Sequence, residues 1–284
     1  MARIWIDGQW TDRAGARVSV FDHGLLYGDG VFEGMRAYGG RVFRNDEHLD
    51  RLWDSAKAIG LTIPYTKQDL TAVIAEGVRE SGLDDAHIRP IVTRSEGGLG
   101  IDPRSCKQAT VIIIIDKIRV WPEERYETGL RVVSAATPVP HREALSPRVK
   151  SLNYLPHVLA KMEGTNAGAD EVLMLDASGF VAEASGMNLF VVRHGLIRTP
   201  ASHAGILRGV TRDAVLELAV EAGYRVEEDV LNRYDVYTAD EAFFTGTAAE
   251  VAPIREVDGR AIGDGTPGPV TRDLRARFLR LVRG

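Results

Sequence analysis

Sulfur and lysine are both scarce in this chain. Cys106 is the only cysteine among 284 residues, which excludes an intrachain disulfide and a thiolate-based metal site. A reducing compartment is therefore allowed. Long apolar runs are missing too. The longest, Val111 to Ile115, is far shorter than the roughly 20 residues needed to span a bilayer, and it reads as a buried strand. The opening M-A-R-I-W-I-D-G-Q-W alternates apolar and polar residues and lacks the apolar centre of a secretory signal. An excess of basic charge is absent: 35 Lys and Arg face 40 Asp and Glu, a net charge of -5, which leaves no basic footprint for nucleic acid. The seven histidines have no close ligand spacing. No G-x-S-x-G elbow and no Walker A motif occurs, and Gly28-x-Gly30 followed by Gly34 misses G-x-G-x-x-G by one residue. The expectation is a soluble cytoplasmic protein with no metal, nucleic-acid or membrane partner.

What is present is an ordinary globular composition, 44% hydrophobic and 26% charged. A chain of 284 residues tends to split its core, which favours two lobes. The first stretch reads as strands with tight turns at Asp7-Gly8 and Gly39-Gly40. A helix follows, with Asn45 or Asp46 as cap, Leu49, Leu52, Trp53 and Ala56 on one face and Gly60 at its end. Further helices are expected over Lys67–Glu80, Tyr154–Asn166, Thr211–Ala222 and Val270–Val282. The polar, irregular stretch from Trp121 marks a boundary. The expected domains are a small N-terminal one over 1–120, a linker over 121–130 and a larger one over 131–284. Strands and helices mix without steady alternation, so the fold class is α+β.

Only six lysines occur: 57, 67, 107, 117, 150 and 161. Five lie in polar surroundings. Lys150 follows a constrained Ser-Pro-Arg-Val segment at the start of a helical pattern. A desolvated lysine can lose its proton near neutral pH and form a Schiff base. Glu183 interrupts the apolar strand pattern of F-V-A-E-A-S, where a carboxylate could face a pyridine nitrogen. R-G-V-T-R-D opens a helix after Gly209, so the amides of Val210 and Thr211 form an anion site. F-T-G-T-A-A-E repeats the idea at Gly246 and Thr247, and Arg51 can add a bidentate charge to a phosphate. Taken singly, each residue also suits an ordinary surface group or a capped helix. Their order and spacing point to pyridoxal 5'-phosphate.

The chain resembles the fold-type IV, pyridoxal-phosphate-dependent transaminases, and within them the branched-chain amino acid aminotransferases. The resemblance rests on Y-G-D-G-V-F-E-G-M-R-A-Y, V-F-R-N-D-E-H-L-D-R-L, H-I-R-P, K-S-L-N-Y, E-A-S-G-M-N-L-F, L-R-G-V-T-R-D and F-T-G-T-A-A-E-V-A-P-I, which occur in the family's order over nearly the whole length. It implies a small N-terminal α/β domain and a larger domain with a β-barrel-like core. It implies Lys150 as the Schiff-base lysine and proton shuttle, Glu183 at the pyridine nitrogen, and Tyr154 with Asn188 near the 3' oxygen. Arg51, Val210, Thr211 and Thr247 would hold the phosphate. Tyr27, Phe32, Gly34, Arg36, His87 and Arg89 would shape the substrate pocket, with Leu99 reaching over from a partner subunit and Thr247 and Ala248 meeting the α-carboxylate. The implied reaction moves the amino group of Leu, Ile or Val to 2-oxoglutarate in ping-pong order through pyridoxamine phosphate, in a homodimer or larger homo-oligomer. His87 departs from the family pattern, which has tyrosine before I-R-P. V-T-R after I-R-P-I keeps a D-amino acid or (R)-amine transaminase, or a mixed-specificity enzyme, open as the alternative.

Overall fold

The computed structural model describes residues 2–118 and 121–284. Arg119 and Val120, the last two residues of the expected small domain, lie outside the described residues, as does Met1. The chain divides into two compact units, one of Met1–Arg119 with Val149–Asn153, the other of Val120–Arg148 with Tyr154–Gly284.

The first unit contains β1 (Arg3–Ile6), β2 (Gln9–Thr11), α1 (His23–Tyr27), β3 (Gly30–Phe32), β4 (Met35–Tyr38), β5 (Arg41–Val42), α2 (Asn45–Ala58), α3 (Lys67–Ser81), β6 (Ala86–Thr93) and β7 (Thr110–Lys117). Its antiparallel sheet runs β2-β1-β7-β6-β4-β5, with β3 also paired to β6. β3 and β4 form one line opposite β6, since Phe32 faces Ile91 and Met35 faces Ile88. The ladder breaks between them because Pro90 has no N–H to give, although the Glu33 N–H still donates to the Pro90 carbonyl at 2.9 Å. Side chains alternate across a strand. Val31, Met35, Ile88 and Val92 therefore face the core with Leu49 and Leu52 of α2, all fully buried. Each such side chain contributes about 2 kcal/mol. Asn45 and Asp46, expected as caps, are instead the first residues of α2, where the acids Asp46 and Glu47 suit the positive helix end. Gly77 lets α3 lie close to the sheet, because a β-carbon there would come within 2.3 Å of the Trp10 ring.

The second unit contains α4 (Glu123–Thr128), β8 (Leu130–Ser134), α5 (Leu155–Asn166), β9 (Glu171–Leu175), β10 (Val181–Glu183), β11 (Asn188–Arg193), β12 (Leu196–Pro200), α6 (Val210–Glu221), β13 (Arg225–Asp229), α7 (Arg233–Tyr237), β14 (Glu241–Gly246), β15 (Glu250–Val257), β16 (Arg260–Ala261) and α8 (Pro269–Arg283). Strands β10-β9-β8-β15-β14-β11 pair in turn, and β10 pairs again with β11, which closes a six-stranded barrel. The barrel core expected from the resemblance is thus present. Leu130, Val132, Leu173, Leu189, Val191, Phe244 and Ile254 alternate along these strands and form one buried cluster. The opposite face of β9, with Val172 and Met174, packs with Ala160 of α5. The stretch expected as a linker holds α4, whose Tyr126 joins the barrel cluster.

Lys150 does not begin a helix. Residues 149–152 form no helix: Ser151 N–H turns back to the Val149 carbonyl at 2.9 Å, Ser151 bridges to Val31, and α5 starts only at Leu155. Backbone pairing with β3 outcompetes helix propensity there: Phe32 N–H donates to the Lys150 carbonyl at 3.0 Å, and Leu152 N–H donates to Gly30 at 2.9 Å. No helix among the described residues is long and apolar enough to cross a membrane.

Candidate active site

In the first unit, the alternation that turns Val31 and Met35 inward puts Phe32, Gly34 and Arg36 on the other face of the sheet. Arg36 is directly opposed by His87, and the same register sets Gly34 against Arg89. Five of the expected substrate residues thus share one sheet face. Arg89 lies 4.8 Å over the Phe32 ring, and the Lys150 ammonium lies 4.5 Å over the same ring. A β-carbon at Gly34 would sit 3.6 Å from His87 Nε2 and 3.9 Å from Arg89 Nη2, so glycine keeps this floor low. Arg36 is nearly buried, bonded to Asp85 at 3.0 Å and stacked on Tyr38 at 4.3 Å. Burial, then the Arg89 charge and more weakly Arg36, outweigh Asp116 and push the His87 imidazole down to about 4. His87 is therefore neutral at physiological pH, a hydrogen-bonding group between two cations. Tyr27 donates to the Leu99 carbonyl within the same chain, and His23 bonds the neighbouring Gly98 carbonyl at 2.8 Å. The Leu99 side chain is 70% exposed.

On the inner face, Glu33 is fully buried and meets two side chains of α2. Arg51 donates through Nε at 2.7 Å and Nη2 at 2.8 Å, and His48 Nδ1 lies 2.8 Å from the carboxylate. Burial raises the Glu33 carboxyl, but the Arg51 charge and the bonds from Arg51 and His48 prevail and hold it well below its usual range. Burial lowers His48, and the Glu33 contacts only partly oppose that. The guanidinium edge expected to clasp a phosphate is thus occupied by Glu33. Neither Glu33 nor His48 stands out in the motifs. The spacing of His48 and Arg51, one turn apart on a helix face, was the available signal.

In the second unit, Glu183 is 5% exposed. Its Oε2 accepts from Leu207 N–H at 3.0 Å and lies 3.4 Å from Asn188 Nδ2, while Asn188 also donates to the Leu207 carbonyl at 2.8 Å. Glu183 and Asn188 therefore pin the loop that enters α6. Gly209 caps that helix without a side-chain bond, and a β-carbon there would fall 2.2 Å from Asn188 Oδ1. The first amides of a helix, here those of Val210 and Thr211, have no acceptor within it; the Thr211 side chain is buried. Thr247 and Ala248 are half-buried in the turn between β14 and β15. Tyr154 precedes α5 and stacks on His157 at 4.4 Å, and His157 Nε2 lies 3.6 Å from Glu183 Oε1. His157 is a further residue that sequence spacing does not single out.

The Amino-transferase class IV family profile matches residues 30–257. A branched-chain-amino-acid aminotransferase of Pseudomonas aeruginosa is 42% identical over 286 residues, covering 99% of this chain and 93% of that protein. The solved T.th. branched-chain amino acid aminotransferase with pyridoxamine 5'-phosphate is 39% identical, with a TM-score of 0.95 and coverage of 99% of this chain and 94% of that one. The same enzyme has been solved with N-(5'-phosphopyridoxyl)-L-glutamate, at a TM-score of 0.93. The Escherichia coli branched-chain amino acid aminotransferase is 35% identical, with a TM-score of 0.96, covering 99% of this chain and 95% of that one. The architecture is accordingly that of the fold-type IV enzymes. The chain belongs to the class IV aminotransferases and is a pyridoxal-phosphate-dependent aminotransferase.

Proposed function

We propose that this protein transfers the amino group of branched-chain L-amino acids to 2-oxoglutarate, with Lys150 as its Schiff-base lysine. The observation that carries the reading is the single sheet face bearing Phe32, Gly34, Arg36, His87 and Arg89, with the Lys150 side chain lying over Phe32. An aromatic and glycine floor suits an aliphatic side chain, and the cations beside it suit a carboxylate. The similarity to an enzyme solved with a phosphopyridoxyl glutamate adds support for a five-carbon diacid partner.

The residues present fit pyridoxal phosphate. Gly209 leaves the α6 N-terminus bare of side-chain capping, and only glycine fits there, since any β-carbon would press onto Asn188 Oδ1 at 2.2 Å. Val210, Thr211 and Thr247 would bind the phosphate through amides and hydroxyls, with Arg51 adding charge. Glu183, buried and anchored, would hold a proton on the pyridine nitrogen, while Tyr154 and Asn188 would orient the ring. When bound, the cofactor supplies an electron sink for charge developing at the substrate Cα. Lys150 would carry the proton between the substrate Cα and the cofactor C4′, in one direction for the donor and in the other for the acceptor. Arg89 holds the distal carboxylate of the acceptor, and the Thr247 and Ala248 amides hold the α-carboxylate. Donor and acceptor use the same pocket in turn, a ping-pong order. The active oligomer is at least a dimer, with Leu99 presented to a partner's pocket.

Single half-reactions test this. L-leucine should convert the cofactor spectrum of the holoenzyme, while D-alanine and (R)-1-phenylethylamine leave it unchanged. Conversion only by the D or R compounds would sink the branched-chain L-amino acid reading in favour of the D-amino acid or (R)-amine one.

A further inference from the structure

His157 is a polar side chain in a nearly buried position. Its side chain is 9% exposed. Its Nδ1 has no hydrogen-bond partner among the described residues, and leaving a buried polar atom unsatisfied costs stability. Two contacts account for its presence. The ring stacks on Tyr154 with centroids 4.4 Å apart and planes 20° from parallel. Its Nε2 lies 3.6 Å from Glu183 Oε1, the oxygen not engaged by Leu207. That separation is longer than a normal hydrogen bond, so the interaction is electrostatic and orienting rather than a clasp. Local geometry explains the arrangement: Tyr154 and His157 are three residues apart at the entry of α5, on one side of the helix, and β10 delivers Glu183 to the imidazole edge.

We infer that His157 is a positioning residue for the cofactor site, fixing the Tyr154 ring with its face and the Glu183 carboxylate with its edge. The inference rests on the roles proposed above for Glu183 and Tyr154. Among the described residues, Glu183 has Leu207 and Asn188 on one oxygen and His157 on the other. Loss of the imidazole edge frees that second oxygen to swing, and the carboxylate then meets a pyridinium less well.

The test uses the apoprotein and pyridoxine 5'-phosphate, which lacks an aldehyde and cannot react with Lys150, so that binding is read without turnover. His157→Phe keeps an aromatic face against Tyr154 and removes the edge nitrogen. His157→Gln keeps a donor near Glu183 and removes the ring. His157→Phe should weaken binding about tenfold, within the range of coupling between neighbouring polar groups. In a Glu183→Gln background the same change should have almost no further effect, and His157→Gln should recover part of the loss. Melting curves establish that each variant is folded. Equal losses with and without Glu183, or no loss at all, overturn the inference and leave His157 as packing. A folded wild-type apoprotein that does not bind pyridoxine 5'-phosphate overturns the proposed roles of the site itself, which separates the two failures.

Discussion

Lys150→Ala should cut turnover by roughly 10⁴-fold, because one side chain serves as both covalent partner and proton carrier. The visible absorbance of the lysine-bound cofactor should vanish with it. The fold should survive. The segment around Lys150 is held by its backbone, through the carbonyl that accepts from Phe32 and the N–H that donates to Ser55 Oγ at 3.1 Å, and neither bond needs the ammonium. A variant that is folded by circular dichroism and still turns over at near wild-type rate would exclude Lys150 from the chemistry.

Glu33→Gln should produce the largest loss of stability in the first unit. The substitution takes this anionic partner away from Arg51, whose side chain is only 15% exposed. Breaking one side of such a buried pair costs about 3–5 kcal/mol. Urea unfolding, followed separately for the two units, measures the loss. The pH dependence carries a second signature. Glu33 has a folded pKa below its ordinary 4.5, so its contribution is present above that value and disappears as pH falls below it. His48 and His87 are held below 6.5, so the unfolded chain takes up protons that the folded chain refuses, and stability also drains as pH falls from 6.5. The wild type should lose stability in two stages on acidification. Glu33→Gln should retain the stage near 6.5 and shrink the one below 4.5, to which Asp69, Asp258 and other carboxylates held low by their hydrogen bonds still contribute. An unchanged profile, or a destabilisation near zero, would mean that the buried ion pair contributes nothing to the fold.

The local structure around several candidate site residues is legible because it lies in short contiguous segments. Gly209, Val210 and Thr211 declare a helix entry in sequence, and the structure starts α6 at Val210. Glu183 stands out because a charge interrupts an apolar strand, and that strand is indeed buried. Helical spacing anticipates α3 and α8 to within a residue or so at either end. Residues 149–152 defeat a local reading because their non-helical form comes from hydrogen bonds to β3, more than a hundred residues earlier, which local propensity does not register. The same reason hides Glu33. A glutamate between Phe32 and Gly34 looks like a surface charge until α2 brings Arg51 and His48 against it. His157 is hidden likewise, its meaning depending on a carboxylate delivered by β10. The position of His87 can be read from its motif, whereas its neutrality cannot, because that follows from burial and from Arg89 and Arg36 around it.

Lys150 is one of six lysines, and that scarcity makes the central claim open to direct measurement. Borohydride reduction of the holoenzyme fixes the cofactor covalently to whichever lysine carries it, and peptide mapping by mass spectrometry then identifies the residue. One labelled peptide is expected, with the pyridoxyl group on Lys150. Label on Lys57, Lys67, Lys107, Lys117 or Lys161, or no label on a fully loaded protein, would contradict it.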